Sequence, residues 1–304
     1  MRVAAIDCGT NSLRLLIADI DQGNFREIYR TMEVVRLGEG VDQNKTFKLE
    51  AIDRTLTALQ TFSREITRRG VERIRFCATS ATRDATNRDL FIKGVEEILG
   101  ITPEVIPGTE EASLSFRGAT KEFATAEGPF LVVDIGGGST EFVYGTEKVI
   151  AARSVNVGCV RMAERHQLIS PLSESSRAAA IADIDAAIAE AAAEVPLTKA
   201  RSVIAVAGTA TTVAAAALGL ETYDRYAIHL ARISAEKTHE IAHLFAAMTR
   251  SEIAALGFMH PGRVDVITAG SLVLSRIMSA TGAKEFIASE SDILDGMAWS
   301  LAEK

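Results

Sequence analysis

The amino-acid sequence predicts an α/β fold of two similar domains, and three observations carry that prediction. Apolar stretches of strand length alternate with amphipathic stretches of helix length along most of the chain. A strand–turn–strand pattern holding an acid, glycine and hydroxyl residues occurs twice, from Val3 to Asp19 and from Phe130 to Tyr144, with Asp7 and Asp134 127 residues apart. A domain-sized interval between two such hairpins points to duplication, with the two turns facing each other. A third segment, Val203 to Ala207 followed by Gly208-Thr209, reads as a buried strand running into a helix start.

The second hairpin is the richer one. An apolar run ends in Asp134; Gly136, Gly137, Gly138 and Ser139 make the turn; Glu141 opens the next apolar run. Glycines let the backbone take positive φ and let a ligand approach with no Cβ in the way. Successive free N–H groups in such a turn make a concave anion site. Asp134 and Glu141 stand at its two rims, where both carboxylates reach one place, and Mg²⁺ (or Mn²⁺) between them and a phosphate would explain the pairing. The first hairpin repeats the shape with Asp7, Gly9, Thr10, Asn11 and Ser12. Asn11 and Ser12 are donors for phosphate oxygens, and Asp7 is expected to join the metal through a water. Gly208 and Thr209 add a helix N-terminus, whose free N–H groups and dipole attract an anion.

In chain order, residues 27–36 form a strand after the first hairpin, and residues 41–47 are polar and loop-like. Ile52, Leu56, Leu59, Phe62 and Ile66 recur at three- and four-residue spacing, which predicts a helix over 49–69 with Gly70 as its C-cap. A strand at 73–78 runs into the loop Thr79-Ser80-Ala81-Thr82-Arg83; a helix at 89–99 stops at Gly100; a short strand at 104–106 precedes the turn Pro107-Gly108 and a helix over 110–123. Small, turn-forming residues at 124–129 mark the boundary, giving domains 1–125 and 126–304. The second domain continues with a strand at 149–155, helices at 159–166 and 173–194, and the Gly208-Thr209 strand and helix. The remainder reads as mostly helical, over 234–248, 251–256, 264–281 and 291–302.

Composition excludes several classes. The 304 residues allow one large or two ordinary domains, and 47% hydrophobic with 24% charged residues is ordinary for a globular protein. Net charge −7 argues against nonspecific nucleic-acid binding, and it requires a local basic patch or a bound metal to draw in a polyanion. Arg64, Arg68, Arg69, Arg73 and Arg75 form a basic run that solvated helix-face charges explain as well as a binding patch does. Cys8, Cys77 and Cys159 lack metal spacing. No leader peptide and no membrane-length apolar run is expected, so the reading is a cytoplasmic protein with no membrane partner. His239 and His243 stand four apart with no third ligand motif, and Trp299 reads as a packing residue.

Two further side chains bear on chemistry. Glu110 and Glu111 follow Thr109 at a helix start, where acids also simply complement the dipole. Arg83 ends its loop as either a surface arginine or a bidentate phosphate ligand. Four motifs in order then carry a resemblance: Asp7-Cys8-Gly9-Thr10-Asn11-Ser12, Ala78-Thr79-Ser80-Ala81-Thr82-Arg83, Gly108-Thr109-Glu110-Glu111-Ala112, and Asp134 through Glu141. Along essentially its whole length the chain resembles the exopolyphosphatase and guanosine pentaphosphate phosphohydrolase (Ppx/GppA) family of the sugar kinase, Hsp70 and actin superfamily. The resemblance implies two actin-like (ribonuclease H-like) domains with a cleft between them that closes on substrate. It implies Glu111 as catalytic base, with Glu110 the next choice, and Arg83 beside the site. It implies inorganic polyphosphate as substrate, or guanosine pentaphosphate, and a homodimer. A superfamily kinase and a non-enzymatic alarmone sensor are the alternatives. The kinase would want a Gly-Gly pair where Gly208-Thr209 stands, and the sensor would lack the base. Ser289 to Gly296 departs from the more basic family pattern there. The two-domain length implies shorter polymers, or greater reliance on dimerisation, than in longer relatives.

Overall fold

The structure is a computed structural model and describes residues 1–21 and 23–302. Its contacts divide into two units, Met1–Gly118 together with the last helix, and Ala119–Asp292.

Unit 1 is a five-stranded sheet in the order β3-β2-β1-β4-β5. Its strands are β1 Arg2–Cys8, β2 Ser12–Asp21, β3 Asn24–Val34, β4 Arg73–Ala78 and β5 Glu104–Val105. β1, β2 and β3 are antiparallel, while β4 and β5 run parallel to β1. β1 is central and buried on both faces, as its nearly unbroken apolar run requires. The two-residue period of a strand sends its residues to different cores. Ala4, Ile6 and Cys8 pack with Leu59 and Phe62 of the helix Leu49–Arg68 and Phe91 of the helix Arg88–Leu99. Val3 and Ala5 pack with Leu114 of the helix Gly108–Thr120 and with the helix Ile293–Ala302. Asp7 shares the parity of Val3 and Ala5, which turns it toward the second of these faces.

Unit 2 repeats the plan in a six-stranded sheet ordered β10-β11-β9-β6-β7-β8. These strands are β6 Phe130–Ile135, β7 Thr140–Gly145, β8 Val149–Val155, β9 Ser202–Val206, β10 Arg232–Ser234 and β11 Glu285–Ala288. β6, β7 and β8 are antiparallel, and β9 and β11 run parallel to β6. The series β8-β7-β6-β9-β11 thus matches β3-β2-β1-β4-β5 strand for strand, and β10 is an addition antiparallel to β11. The expected duplication is present in the topology. One large core fills the unit, drawn from β6, from the helix Glu174–Glu194 through Ile184 and Ile188, and from the helix Ile267–Thr281 through Val273, Leu274 and Ile277.

The structure departs from the sequence reading in several places. β10 and β11 lie in the stretch read as helical, because three or four residues are too few to show a period. Residues Val41–Asn44 and Ser80–Asp84 are short helices rather than loops. The sequence reading put the boundary at 125 and ran the second domain to 304, whereas the contacts divide the chain after Gly118 and return the last helix to unit 1. Its apolar face explains that return: Ile293, Leu294, Met297 and Leu301 are buried in the cluster holding Val3, Ala5 and Leu114. Burying each such side chain contributes about 1.5–3 kcal/mol. Trp299 packs its ring 5.3 Å from that of Phe25, the packing role expected of it. Three of the five arginines in the basic run are paired within unit 1, Arg68 and Arg69 with Glu65 and Arg75 with Glu104 and Glu110. Among the described residues no helix is long and apolar enough to cross a membrane.

The last helix also touches backbone. A Cβ built on Gly296 would lie 2.0 Å from the Leu114 carbonyl oxygen, which cannot swing aside as a side chain can. Gly296→Ala is therefore expected to force the two helices apart and destabilise unit 1 by about 1–3 kcal/mol, read as a lower denaturant midpoint. An unchanged midpoint would contradict this packing.

Candidate active site

Each unit opens on the same hairpin, and the likeness extends to single hydrogen bonds. Gly9 N donates to Ser12 O at 3.0 Å, and Gly136 N donates to Ser139 O at 3.0 Å. Neither Gly9 nor Gly136 has left-handed φ, so the expectation that these glycines serve by positive φ does not hold for them. A Cβ on Gly136 would lie 3.1 Å from Ser139 O, whereas one on Gly9 would make only an ordinary 3.6 Å contact with Ser12 O. Neighbouring segments brace both turns through their carbonyls. Gly38 N donates to Thr10 O at 2.9 Å, and Val35 and Arg36 N donate to Asn11 O at 3.0 and 2.9 Å. In unit 2, Cys159 N donates to Gly136 O at 3.0 Å, and Val160 and Arg161 N donate to Gly137 O at 2.9 and 3.0 Å. A Cβ on Gly158 would meet the Gly137 carbonyl carbon at 2.5 Å, so this bracing needs glycine. With the carbonyls held outside, the inner side of each turn is left to amides and hydroxyls.

The charges beneath the two turns differ. In unit 1, Asp7 is the register partner of Arg14. Arg14 donates to Asp7 Oδ2 from Nε at 2.9 Å and from Nη2 at 2.6 Å. In unit 2, Asp134 is the register partner of Glu141, so two acids share one face of the sheet. They are 5% and 1% exposed, and Ser154 donates to Glu141 Oε1 at 2.7 Å. Like charges directly opposite each other are destabilising, and a divalent cation relieves them. Among the described residues no three His, Cys, Asp or Glu side chains form a metal cluster. Two carboxylates with water and substrate phosphates are nevertheless what Mg²⁺ ordinarily takes, so the Asp134–Glu141 donor set fits it. Asp7, expected to join that metal through a water, is paired with Arg14 through Oδ2.

Glu111 lies on the same face of unit 1 as Asp7. The helix Gly108–Thr120 starts earlier than expected, with Pro107 O accepting from Glu110 and Glu111 N at 3.0 and 3.1 Å. Its first turn points the two acids apart. Glu110 goes to Arg75. Glu111 is 8% exposed, and Arg83 Nη1 donates to its Oε2 at 2.7 Å while also reaching Ile106 O at 3.0 Å. Burial pushes the Glu111 carboxyl above the ordinary glutamate range; Arg83 and the Thr79 hydroxyl pull it down, and Asp7 adds to the rise. A buried carboxyl with raised proton affinity suits a general base near neutral pH. The structure thus brings Asp7, Arg83 and Glu111 together and sends Glu110 elsewhere.

Gly208 and Thr209 stand at the first turn of the helix Ala207–Ala217, directly after β9. Ala207 has φ 66°, a left-handed conformation that an alanine adopts only at a cost of about 1–2 kcal/mol. Such strain at a strand–helix junction is common in functional turns. A Cβ on Gly208 would lie 1.3 Å from Arg263 Nη1, so a guanidinium rests on this glycine. Arg263, Arg14 and Arg161, whose Nε donates to Gly138 O at 2.6 Å, were missed in the sequence reading. Overlaying the two hairpins 127 residues apart puts Arg14 on Glu141, a signal that was available. Arg161 and Arg263 carry none. The histidines prove structural, with His239 Nδ1 2.8 Å from Ser275 Oγ and His243 beside Arg177.

Two units on one sheet plan, each opening on a glycine-and-hydroxyl turn above a buried acid, define a duplicated α/β protein built to handle phosphate. Comparison with known proteins narrows the class. The chain belongs to the Ppx/GppA phosphatase family, whose model matches residues 16–304, and it is accordingly a hydrolase. It is similar to Exopolyphosphatase 2 of Mycobacterium tuberculosis, 45% identical over 99% of this chain and 98% of that one. A solved exopolyphosphatase-like protein superposes with a TM-score of 0.95 at 42% identity, over 100% of this chain and 99% of the other. An exopolyphosphatase structure from Cytophaga hutchinsonii gives a TM-score of 0.91 at 25% identity, over 100% and 98%.

The raised proton affinity of Glu111 has a consequence for activity. A base must be ionised to act, so the acid limb of kcat/KM should fall at a pH above the ordinary glutamate pKa of about 4.3. Arg83 lowers the Glu111 pKa, so Arg83→Gln should move that limb further up in pH, lowering activity at neutral pH with partial recovery in alkali. A limb that stays put or moves down would contradict the Arg83–Glu111 coupling.

Proposed function

We propose that the chain is an exopolyphosphatase, hydrolysing the terminal phosphoanhydride of inorganic polyphosphate and releasing orthophosphate. The observation that carries this reading is Glu111, a buried carboxyl of raised proton affinity held at 2.7 Å by Arg83. A sensor has no use for such a base. Its substrate follows from the full-length likeness to proteins named exopolyphosphatases.

The roles divide as follows. The amides and hydroxyls of Gly9, Thr10, Asn11 and Ser12, of Gly136, Gly137, Gly138 and Ser139, and of Gly208 and Thr209 bind phosphate oxygens. Arg83 both orients Glu111 and offers a guanidinium to a phosphate. Glu111 takes a proton from water as the water oxygen bonds to the terminal phosphorus. The bridging P–O bond breaks, the terminal group leaves as orthophosphate, and the shortened chain keeps the bridging oxygen. Asp134 and Glu141 would hold Mg²⁺ or Mn²⁺, which supplies neutralisation of the phosphate charge that the net charge of −7 makes necessary. Action as a cytoplasmic homodimer belongs to the same proposal, the homodimer resting on the family resemblance.

The test is phosphate release with Mg²⁺ from polyphosphate, guanosine pentaphosphate and ATP in parallel, for wild type and Glu111→Gln. Release from polyphosphate, falling by about 10²–10⁴-fold in the variant, is expected. Preferential release from guanosine pentaphosphate would replace the substrate, and full activity in Glu111→Gln would remove the base.

A further inference from the structure

One glycine outside the turns, Gly38, packs directly against a side chain proposed to bind phosphate. Gly38 lies in the segment that braces the first turn. Its N–H donates to Thr10 O at 2.9 Å. A Cβ placed on it would lie 2.3 Å from Thr10 Cγ2, 3.2 Å from Thr10 Cβ and 3.0 Å from Ala81 Cβ. Gly38 does not have left-handed φ, so backbone conformation does not demand glycine there. Space does. Thr10 itself is 7% exposed, and its Oγ1 is buried with no hydrogen-bond partner in the protein. A buried hydroxyl left in that state costs about 1–3 kcal/mol, a cost a bound acceptor removes.

We propose that Gly38 is a positioning residue of the phosphate site, leaving the room that fixes Thr10 in the rotamer whose hydroxyl meets the substrate phosphate. The proposal deepens the phosphohydrolase reading and rests on it. Threonine is β-branched and occupies staggered χ1 wells, so its methyl and hydroxyl move together. The severe clash of an added Cβ at Gly38, with Thr10 Cγ2 at 2.3 Å, is relieved most cheaply by turning Thr10 about χ1, because the blocking atom is a side-chain methyl rather than backbone; Ala81 Cβ at 3.0 Å and Thr10 Cβ at 3.2 Å need give by only a few tenths of an ångström. That turn carries Oγ1 away by one rotamer step. The damage falls on the hydroxyl's aim, while the sheet and the turn's hydrogen bonds stay in place.

The geometry also supplies the rescue. Serine at position 10 keeps the hydroxyl and removes the methyl that Gly38→Ala would strike. The full-length wild type, Gly38→Ala, Thr10→Ser and the double variant are compared by kcat and KM on polyphosphate, by tripolyphosphate binding in a Glu111→Gln background, and by unfolding temperature. Gly38→Ala is expected to lose about 10²-fold in kcat/KM and to bind tripolyphosphate more weakly. Thr10→Ser serves as the reference background, and the loss caused by Gly38→Ala should be much smaller there than in the wild-type background, so that the double variant regains most of the activity lost in Gly38→Ala. Full activity in Gly38→Ala overturns the proposal. So does a double variant no better than Gly38→Ala, whether misfolded or folded and inactive, because the Thr10 methyl is then not the obstacle. A wild-type chain that neither cleaves polyphosphate nor binds tripolyphosphate removes the proposed function and this role with it, and that result is visible before any variant is read.

Discussion

The structure depends on a single closed turn made twice. A glycine N–H bonds a serine carbonyl three residues on, at 3.0 Å in both units, and fixes the register of the strands on either side. Register decides which side chains stand opposite each other. In unit 1 the opposed pair is Asp7 and Arg14; in unit 2 it is Asp134 and Glu141. One fold element therefore yields two electrostatic outcomes, a satisfied ion pair and a pair of buried acids. The bracing segments around each turn, the Val35–Gly38 stretch and the start of the helix Cys159–Arg165, hold the carbonyls and leave amides and hydroxyls for a ligand.

Strand parity carries the same constraint outward. Because Asp7 shares a face with Val3 and Ala5, it stands on the side covered by the helix Gly108–Thr120 and influences Glu111. Arg83 and Asp7 act on Glu111 in opposite senses, and burial dominates both. The last helix, returning to unit 1 through Arg30 on Asp295 at 2.6 Å and the close approach of Gly296 to Leu114, braces the helix that presents Glu111. Stability and chemistry in this unit thus share one packed layer.

Much of this was legible in the sequence, for physical reasons. The hairpins were visible because glycine, acid and hydroxyl residues set between apolar runs seldom serve any end but a tight turn, and long helices such as Leu49–Arg68 show many periods. Short elements escaped: β10 and β11 are three and four residues long, and the Thr79–Arg83 stretch looked like a loop although Ser80–Asp84 is helical. The destination of the last helix was hidden because an apolar face does not say which partner it meets. The acids beneath the turns were legible from their motifs, whereas the arginines that the structure places beside the turns mostly were not. Arg161 and Arg263 reach Gly138 and Gly208 through tertiary folding, and arginine is too common on surfaces to stand out. The Asp7–Arg14 ion pair was not visible in the motif, because it depends on the register of the two strands.

The most direct test of the account is Mn²⁺ binding by the full-length chain, followed by magnetic resonance or calorimetry in wild type, Asp7→Asn, Asp134→Asn and Glu141→Gln. The unequal charges of the two hairpins predict that Asp134→Asn and Glu141→Gln each lose binding by at least an order of magnitude, while Asp7→Asn keeps it. Binding that survives in Glu141→Gln and disappears in Asp7→Asn would place the cation under the other turn and contradict the account.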